Sequence, residues 1–184
     1  MRIIGGKYKG RQLRSAKGTA TRPTAGRTRE AIFNIIAFQI AGARVLDLFA
    51  GTGAMGIEAL SRGAQSAVFI DSRPDSISVL RKNLAVLASE IPTRVIQWDP
   101  ARNLNCLNSS APVIDLVFMD PPYNRNLIAP TLVHLHASQS LSNNALVIIE
   151  HSSLESVSAG QLPFEMIDRR KYRKTLVSFF KYVV

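Results

Sequence analysis

The sequence predicts an α/β protein with a mostly parallel, twisted sheet, helices on both faces and an antiparallel hairpin at the C-terminal end. Apolar runs alternate with helical patterns from residue 43 onward, which is typical of right-handed βαβ units. The largely apolar run at 113–120 stops at two prolines, as a strand buried on both faces does when it leaves the sheet. Two strand-like runs joined by a short basic turn, 164–172 and 175–183, predict the hairpin.

The elements divide into a short basic arm, residues 1–23, and one domain, residues 24–184. The glycine-rich arm is expected to form short strands or loops without a core of its own. A first helix follows Pro23 and ends at Gly42, and its buried face consists of isoleucines at helical spacing, Ile32, Ile35, Ile36 and Ile40. Strands are expected at 43–49, 67–71, 93–98, 113–120 and 144–150, and helices at 54–62, 74–90, 100–107 and 125–138.

Composition narrows the classes of function. With 184 residues, of which 46% are hydrophobic, the chain can bury one sizeable core. The single cysteine, Cys106, excludes an internal disulfide framework, and the three histidines lack metal-ligand spacing, so we expect no metal. No stretch approaches the roughly 20 apolar residues of a membrane span, and the start turns polar too early for a secretory signal. We expect a cytoplasmic protein without a membrane partner, and a monomer.

The positive charge is concentrated at the two ends of the chain. The net charge is +10, yet residues 1–29 hold nine Lys and Arg with no acid, and residues 169–184 hold six with no acid. The residues between these segments are acidic overall. Such segregation favours a polyanion partner, with a merely solvated basic tail as the alternative.

The corner Asp120–Tyr123 follows the buried strand directly. Pro121 and Pro122 have no backbone N–H and cannot continue the strand ladder. Ligands of open α/β sheets bind beyond the carboxyl ends of the strands, so Asp120, the Pro121 carbonyl and the Tyr123 ring are expected in such a crevice. Two acceptors and a stacking surface suit a planar ring that carries an exocyclic amine. The alternative is a simple proline turn in which Asp120 caps a helix.

A glycine loop, Gly51-x-Gly53-x-x-Gly56, follows the first predicted strand. Asp71 ends the next strand 20 residues after Gly51, where an acid would bind ribose hydroxyls. This spacing alone fits a nicotinamide or flavin site as well as other nucleosides. Asp47 lies at the mouth of the loop, and its carboxylate would repel the phosphates of a dinucleotide. S-adenosylmethionine carries no phosphate and has two cationic groups, so it fits better.

A third acid, Asp99, follows the third predicted strand beside Trp98. It could meet an adenine amino group, with Trp98 stacked nearby; the alternative is an ordinary residue at a helix N-terminus. Each acid stands at the end of a successive strand, and this combination is more specific than the glycine loop alone.

These motifs resemble a known family. The loop 47–53 with its continuation 56–63 looks like the cofactor motif of the class I methyltransferases, which have a Rossmann-like fold. Asp120–Tyr123 looks like the signature of amino-methyltransferases that act on nucleic acids. Four motifs of the arm and first helix narrow the resemblance to the RsmD family, namely Arg2–Gly6, Lys9–Arg11, Arg22–Thr24 and Arg29–Asn34. Members of this family methylate the N2 amine of one guanine in small-subunit ribosomal RNA.

The resemblance implies a set of site residues. The catalytic corner would be Asp120, Pro121, Pro122 and Tyr123. S-adenosylmethionine would be bound by Asp47, Phe49, Gly51, Gly53, Asp71, Ser72, Trp98, Asp99 and Thr24. Ribosomal RNA, alone or in the small ribosomal subunit or its assembly intermediate, would be bound by Arg2, Lys7, Lys9, Arg11, Arg22, Arg27 and Arg29.

Three rival functions stay open at this point. A DNA adenine-N6 methyltransferase can use the same four-residue corner, but such enzymes usually need a sizeable target-recognition domain, for which 184 residues leave no room. A noncatalytic RNA-binding protein on a methyltransferase scaffold would have no need to keep the acids and the intact corner. A nicotinamide oxidoreductase is disfavoured by Asp47.

Overall fold

The structure, a computed structural model, describes residues 1–15, 23–87, 91–107, 113–155 and 157–184. Within these residues seven strands form one sheet: β1 (Arg44–Leu48), β2 (Ser66–Asp71), β3 (Thr93–Gln97), β4 (Ile114–Met119), β5 (Leu141–Ser152), β6 (Phe164–Tyr172) and β7 (Thr175–Tyr182). The α-helices are α1 (Pro23–Ile35), α2 (Ala54–Ser61), α3 (Pro74–Leu84) and α4 (Ile128–Ala137).

The strand order is β3-β2-β1-β4-β5-β7-β6. The first five strands pair in parallel, whereas β7 runs antiparallel to both β5 and β6. The predicted α/β fold with a C-terminal hairpin at the sheet edge is therefore confirmed. Because β1 lies between β2 and β4, the chain must cross from one side of β1 to the other after β3. This reversal is the point at which open α/β sheets bind ligands.

Apolar side chains cover both faces of the sheet, because side chains alternate along each strand. On one face Phe69 of β2 and Phe118 of β4 pack against residues of α1, α2 and α3, including Phe33. The other face packs against α4 through residues such as Leu132 and against Leu104 of the segment before β4. Helices on both faces were predicted, and both layers are present.

The predicted helix at 100–107 is wrong, because this segment forms turns. Local polar contacts replace the helical ladder: Asp99 Oδ1 accepts the Ala101 N–H at 3.0 Å, and Asn103 Oδ1 accepts the Asn105 N–H at 3.1 Å. Such side-chain contacts offer the backbone an alternative to helical bonding. Leu104 and Leu107 are nevertheless buried, so the apolar spacing marked core contacts and not a helix.

Several predicted boundaries also differ from the structure, and the helix predicted at 125–138 spans Ile128–Ala137. The first helix ends at Ile35 and passes through a short 3-10 turn, Ala37–Gln39, which returns Ile40 to the core and leaves Ile35 partly exposed. The helix predicted at 74–90 ends at Leu84, and its residues 88–90 lie outside the described part of the chain. The strand predicted at 144–150 is longer, at Leu141–Ser152.

The N-terminal arm docks against α2. Ile3, Tyr8 and Leu13 are buried in the main core. The buried carboxylate of Glu58 accepts the backbone N–H groups of Ile4 and Gly5, both at 2.8 Å. The arm therefore shares the core of the domain that follows it, as far as its described residues reach.

Candidate active site

Five acids line the carboxyl edge of the sheet. Asp99 follows β3, Asp71 ends β2, Asp47 lies in β1, Asp120 follows β4 and Glu150 lies in β5. The strand order β3-β2-β1-β4-β5 places these acids in that same order across the sheet. We call this set the acid row. Parallel strands bring residues that are distant in sequence to one edge of a sheet, so these five acids lie along the same edge.

The glycine loop joins β1 to α2 through left-handed backbone conformations. Phe49, Gly51 and Gly53 have φ angles of 58°, 55° and 78°. A Cβ atom on Gly53 would overlap Cδ1 of Leu80, so this position accepts only glycine without rearrangement. The turn thereby brings its backbone close to the end of β2, where the Gly51 N–H donates to Asp71 Oδ2 at 2.8 Å.

Asp47 is buried beneath the loop. Its Oδ2 accepts the Gly56 N–H at 2.9 Å, and 3% of the residue is exposed. Burial raises the pKa of Asp47 to about 8, and the neighbouring charge of Asp71 acts in the same direction. This shift favours the protonated form of Asp47 at neutral pH, and a cation beside the carboxyl group would lower the pKa again. Asp47 would repel the phosphates of a dinucleotide only in its ionised form.

Asp71 organises the backbone around the loop. Its two carboxylate oxygens accept the N–H groups of Gly51 and Arg73, each at 2.8 Å. A carboxylate oxygen has more than one lone pair, so Asp71 can still accept ribose hydroxyls. Ser72 is exposed next to it.

The predicted adenine-binding residues lie at the end of β3. Trp98 is exposed, and its indole N–H donates to Asn103, at 3.1 Å to the backbone oxygen. Asp99 is half-buried and accepts the Ala101 N–H. These contacts hold both residues in the loop that borders the end of β2. There the backbone N–H of Trp98 donates to the carbonyl oxygen of Asp71 at 3.0 Å.

Asp120 lies in the acid row between Asp47 and Glu150. Asp120 is exposed to solvent over part of its surface, and the surrounding protein atoms still desolvate its carboxyl group. This desolvation, followed by the charges of Glu150 and Asp47, raises the pKa of Asp120 well above its usual range. A ligand that brings a cation or an N–H donor would favour the carboxylate.

The tyrosine of the corner is held by neighbouring strands. The Tyr123 hydroxyl donates to Glu150 Oε1 at 2.8 Å and lies 3.4 Å from the Thr175 hydroxyl of β7. Desolvation, followed by the Glu150 charge, raises the pKa of Tyr123, so the phenol keeps its proton. Pro121 is buried and Pro122 is exposed. In the described chain no amide donates to the Pro121 carbonyl, which is available to a ligand.

Sequence reasoning missed Glu150. Its carboxylate lines the same pocket as Asp120, beside the apolar side chains of Phe118, Ile148 and Met55. Burial raises the pKa of Glu150, against the opposing effect of the Tyr123 hydrogen bond. The signal was present, because Glu150 is an acid at the end of an apolar strand, as are Asp71 and Asp120.

The predicted RNA-contact residues divide into three groups. Arg2, Lys7, Lys9, Arg11 and Arg27 are exposed. Arg29 is turned inward: its Nη2 donates to the Arg2 carbonyl at 2.8 Å and its Nε lies 3.8 Å from Glu58. We therefore leave Arg29 out of the RNA surface, since it holds the arm in place. Arg22 and the Thr24 side chain lie outside the described part of the molecule.

The acid row fits a cationic ligand. Among the described residues, no Lys or Arg forms an ion pair with Asp47, Asp71 or Asp120. Buried carboxyl groups without a basic partner raise their own pKa values, and an incoming cation relieves that cost. The described residues contain no group of His, Cys, Asp and Glu arranged to hold a metal ion, and none of their helices has the length and apolarity to cross a membrane.

Known proteins are similar to this chain in sequence and in fold. The family described as conserved hypothetical protein 95 matches residues 1–181. YlbH of Bacillus subtilis, provisionally named an rRNA methyltransferase, is 34% identical over 181 residues, 98% of each chain. Ribosomal RNA small subunit methyltransferase D of Escherichia coli K12 is 38% identical over 150 residues, 82% of this chain and 74% of the relative. The solved structure of Escherichia coli yhhF, provisionally described as a methyltransferase, matches with a TM-score of 0.86 and 32% identity over 100% of this chain and 98% of that one.

The raised pKa of Asp47 can be tested by unfolding Asp47→Asn, which keeps an acceptor for the Gly56 N–H. The parent carboxyl releases its proton near pH 8 when folded and near pH 4 when unfolded. The parent therefore loses stability as pH rises through this window and loses no more above it. We expect the urea-unfolding stability of the variant, relative to the parent, to rise by about 1–3 kcal/mol between about pH 6 and 8.

The control for this measurement is Asp75→Asn, at an exposed acid in the first turn of α3. It should show no comparable rise. A stability difference between Asp47→Asn and the parent that stays constant across the same pH range would contradict the assigned pKa.

Proposed function

Because the chain belongs to the RsmD family, we propose that it transfers a methyl group from S-adenosylmethionine to the N2 amine of a guanine in small-subunit ribosomal RNA. One observation carries the proposal: the glycine loop with Asp47 and Asp71 lies beside the corner Asp120–Tyr123 at one edge of the sheet. A site for a cationic nucleoside thus adjoins a site for a flat base. Ribosomal RNA as substrate would place the protein in the cytoplasm.

The first half of the site would bind the methyl donor. Gly51 and Gly53 let the nucleoside approach the backbone, Asp71 accepts its ribose hydroxyls, and Asp99 with Trp98 borders its adenine. Phe49, Ser72 and Thr24 complete the proposed set. When bound, the donor supplies an electrophilic methyl carbon, whose bond to sulfur breaks as its bond to the guanine nitrogen forms. Asp47, ionised by the nearby cation, would balance the charge of the ligand.

The second half of the site would present the acceptor amine. The lone pair of the guanine N2 is delocalised into the ring, which makes the amine a poor nucleophile. The Asp120 carboxylate and the Pro121 carbonyl can each accept one N–H, which directs the lone pair toward the methyl carbon. The same two acceptors stabilise the positive charge that develops on nitrogen during transfer. The Tyr123 ring would stack on the extruded base, and Pro122 shapes the corner.

Asp120 need not remove the proton itself. After methyl transfer the nitrogen carries a positive charge and releases a proton readily to water. Desolvation and the charge of Glu150 raise the pKa of Asp120, and an N–H donor in contact with the carboxylate would lower that pKa again. Its role is therefore to orient and stabilise the amine.

RNA would contact both basic ends of the chain. On the arm, Lys7 and Arg11 flank the buried Tyr8 ring, with Arg11 Cζ 4.7 Å from its centroid, and both cations are exposed. On the hairpin, Arg173 and Lys174 form the exposed turn that precedes Thr175. Since Thr175 lies beside the Tyr123 hydroxyl, this turn borders the acceptor corner. Phosphates held at the two ends would position the RNA across the cleft.

The proposed reaction can be tested with S-adenosylmethionine labelled in its methyl group, offered with naked small-subunit RNA, assembled small subunits or DNA. We expect label only in the ribosomal samples, on N2 of guanine.

Asp120→Ala should lower transfer at least about 100-fold, because it removes an acceptor that acts in the transition state. Calorimetry should show cofactor affinity within a few-fold of the parent. Asp75→Ala, at an exposed acid, should retain transfer. Label on adenine in DNA, or loss of cofactor binding in Asp120→Ala, would contradict the proposal.

The RNA surface predicts a change in salt dependence. Replacing Lys7, Lys9 and Arg11 together by Gln should reduce the slope of log affinity against log salt by up to about 2, since each phosphate contact to a single strand contributes about 0.7. Replacing Arg173 and Lys174 by Gln should reduce the slope by about 1. Replacing Arg81 and Lys82, which are exposed on α3, by Gln should leave the slope unchanged. Equal slopes for all variants in filter binding would exclude both ends as phosphate contacts.

A further inference from the structure

Glu150 stands beside Asp120 on the same face of the sheet. β4 and β5 pair in parallel, and Phe118 is opposite Ile148 in their register. Asp120 and Glu150 each follow two residues later, and residues two apart along a strand point to one face. All four side chains line one pocket. A base whose amine contacts Asp120 would therefore place a neighbouring ring atom near Glu150.

Tyr123 fixes one half of the Glu150 carboxylate. The tyrosine hydroxyl donates to Oε1 at 2.8 Å. Within the described residues Oε2 has no hydrogen-bond partner. One oxygen is thus committed to the protein, whereas the other can accept a donor from a ligand in the pocket.

The chemistry of the bases decides which ligand fits. The guanine N2 amine is flanked by N1–H, which is a donor, and by N3, which is an acceptor. The adenine N6 amine is flanked by N1 and, across the ring junction, by N7, and both are acceptors. The cytosine N4 amine is flanked by an acceptor and a C–H group. A carboxylate beside Asp120 can therefore accept a hydrogen bond from N1–H of guanine. The same carboxylate would repel the unprotonated ring nitrogens beside the amine of adenine.

We propose that Glu150 determines base specificity, with its free carboxylate oxygen accepting N1–H of the target guanine while Asp120 accepts an N–H of the N2 amine. This inference rests on the proposed function and adds a specificity residue to its acceptor site. It also accounts for two adjacent acids at the acceptor end of the row, where a single acid would be enough to hold an amine.

The competing explanation is that Glu150 only orients Tyr123. The two roles separate chemically, because Glu150→Gln keeps an oxygen that can accept the Tyr123 hydroxyl but replaces the second oxygen by a donor. Tyr123→Phe does the reverse, since it removes the hydroxyl and keeps the carboxylate. If Glu150 only orients Tyr123, neither variant should change the preference of the enzyme for one base over another. A specificity role predicts that only Glu150→Gln changes the choice of base.

The decisive probe is 2-aminopurine, which keeps the N2 amine of guanine but has an unprotonated N1. Small-subunit RNA would be assembled with guanine or 2-aminopurine at the methylated position, once the parent enzyme has identified that position. We expect the parent to prefer guanine by at least about 100-fold in kcat/KM, because the unprotonated N1 faces a carboxylate. Glu150→Gln, whose amide donates to N1, should reduce that preference to below about 10-fold. Tyr123→Phe should lose rate with both bases and keep the preference.

Glu165→Gln, an exposed residue of the edge strand β6, is the matched control and should behave as the parent. Unchanged S-adenosylmethionine affinity would show that Glu150→Gln is folded. A guanine preference that survives in Glu150→Gln, or a parent that methylates both bases equally, would overturn the role of Glu150 and leave the proposed function standing. A parent that methylates no guanine N2 at all would instead overturn the proposed function.

Discussion

The acid row is the constraint on which the candidate site depends. Each of the five parallel strands ends in, or close to, one carboxyl group, and the strand order sets these groups side by side. Burial and mutual repulsion raise the pKa values of Asp47 and Asp120, and no described basic side chain compensates them. Such an edge disfavours anions and favours ligands that bring cations or N–H donors. The sulfonium of a methyl donor and the amine edge of guanine are both of this kind.

The fold also joins the basic arm to the glycine loop. Asn83 of α3 is buried; its amide donates to the carbonyl oxygens of Arg14, at 3.0 Å, and Thr52, at 2.9 Å, and its oxygen accepts the Arg14 N–H. One side chain thus connects the end of the described arm with the glycine loop. Glu58 and the inward-facing Arg29 anchor the start of the arm in the same way. The surface proposed for RNA is therefore built onto the elements that shape the nucleoside site.

Much of this arrangement followed from the sequence. The alternation of apolar runs and helical patterns predicted the sheet, and turn residues after each run located Asp71, Asp99 and Asp120. Other features depended on three-dimensional contacts. Local side-chain hydrogen bonds turned residues 100–107 away from a helix, and Arg29 is buried because Glu58, 29 residues later, reaches it. Glu150 was missed although it obeys the same rule, because its strand carries no proline corner to mark it.

The most direct test of the shared cleft is a crystal structure of the protein with S-adenosylhomocysteine bound. The account predicts that the nucleoside lies against Gly51 and Gly53, that its ribose hydroxyls contact Asp71, and that its sulfur faces the pocket of Asp120 and Glu150. A ligand bound away from the glycine loop, or a sulfur separated from Asp120 by protein atoms, would contradict it.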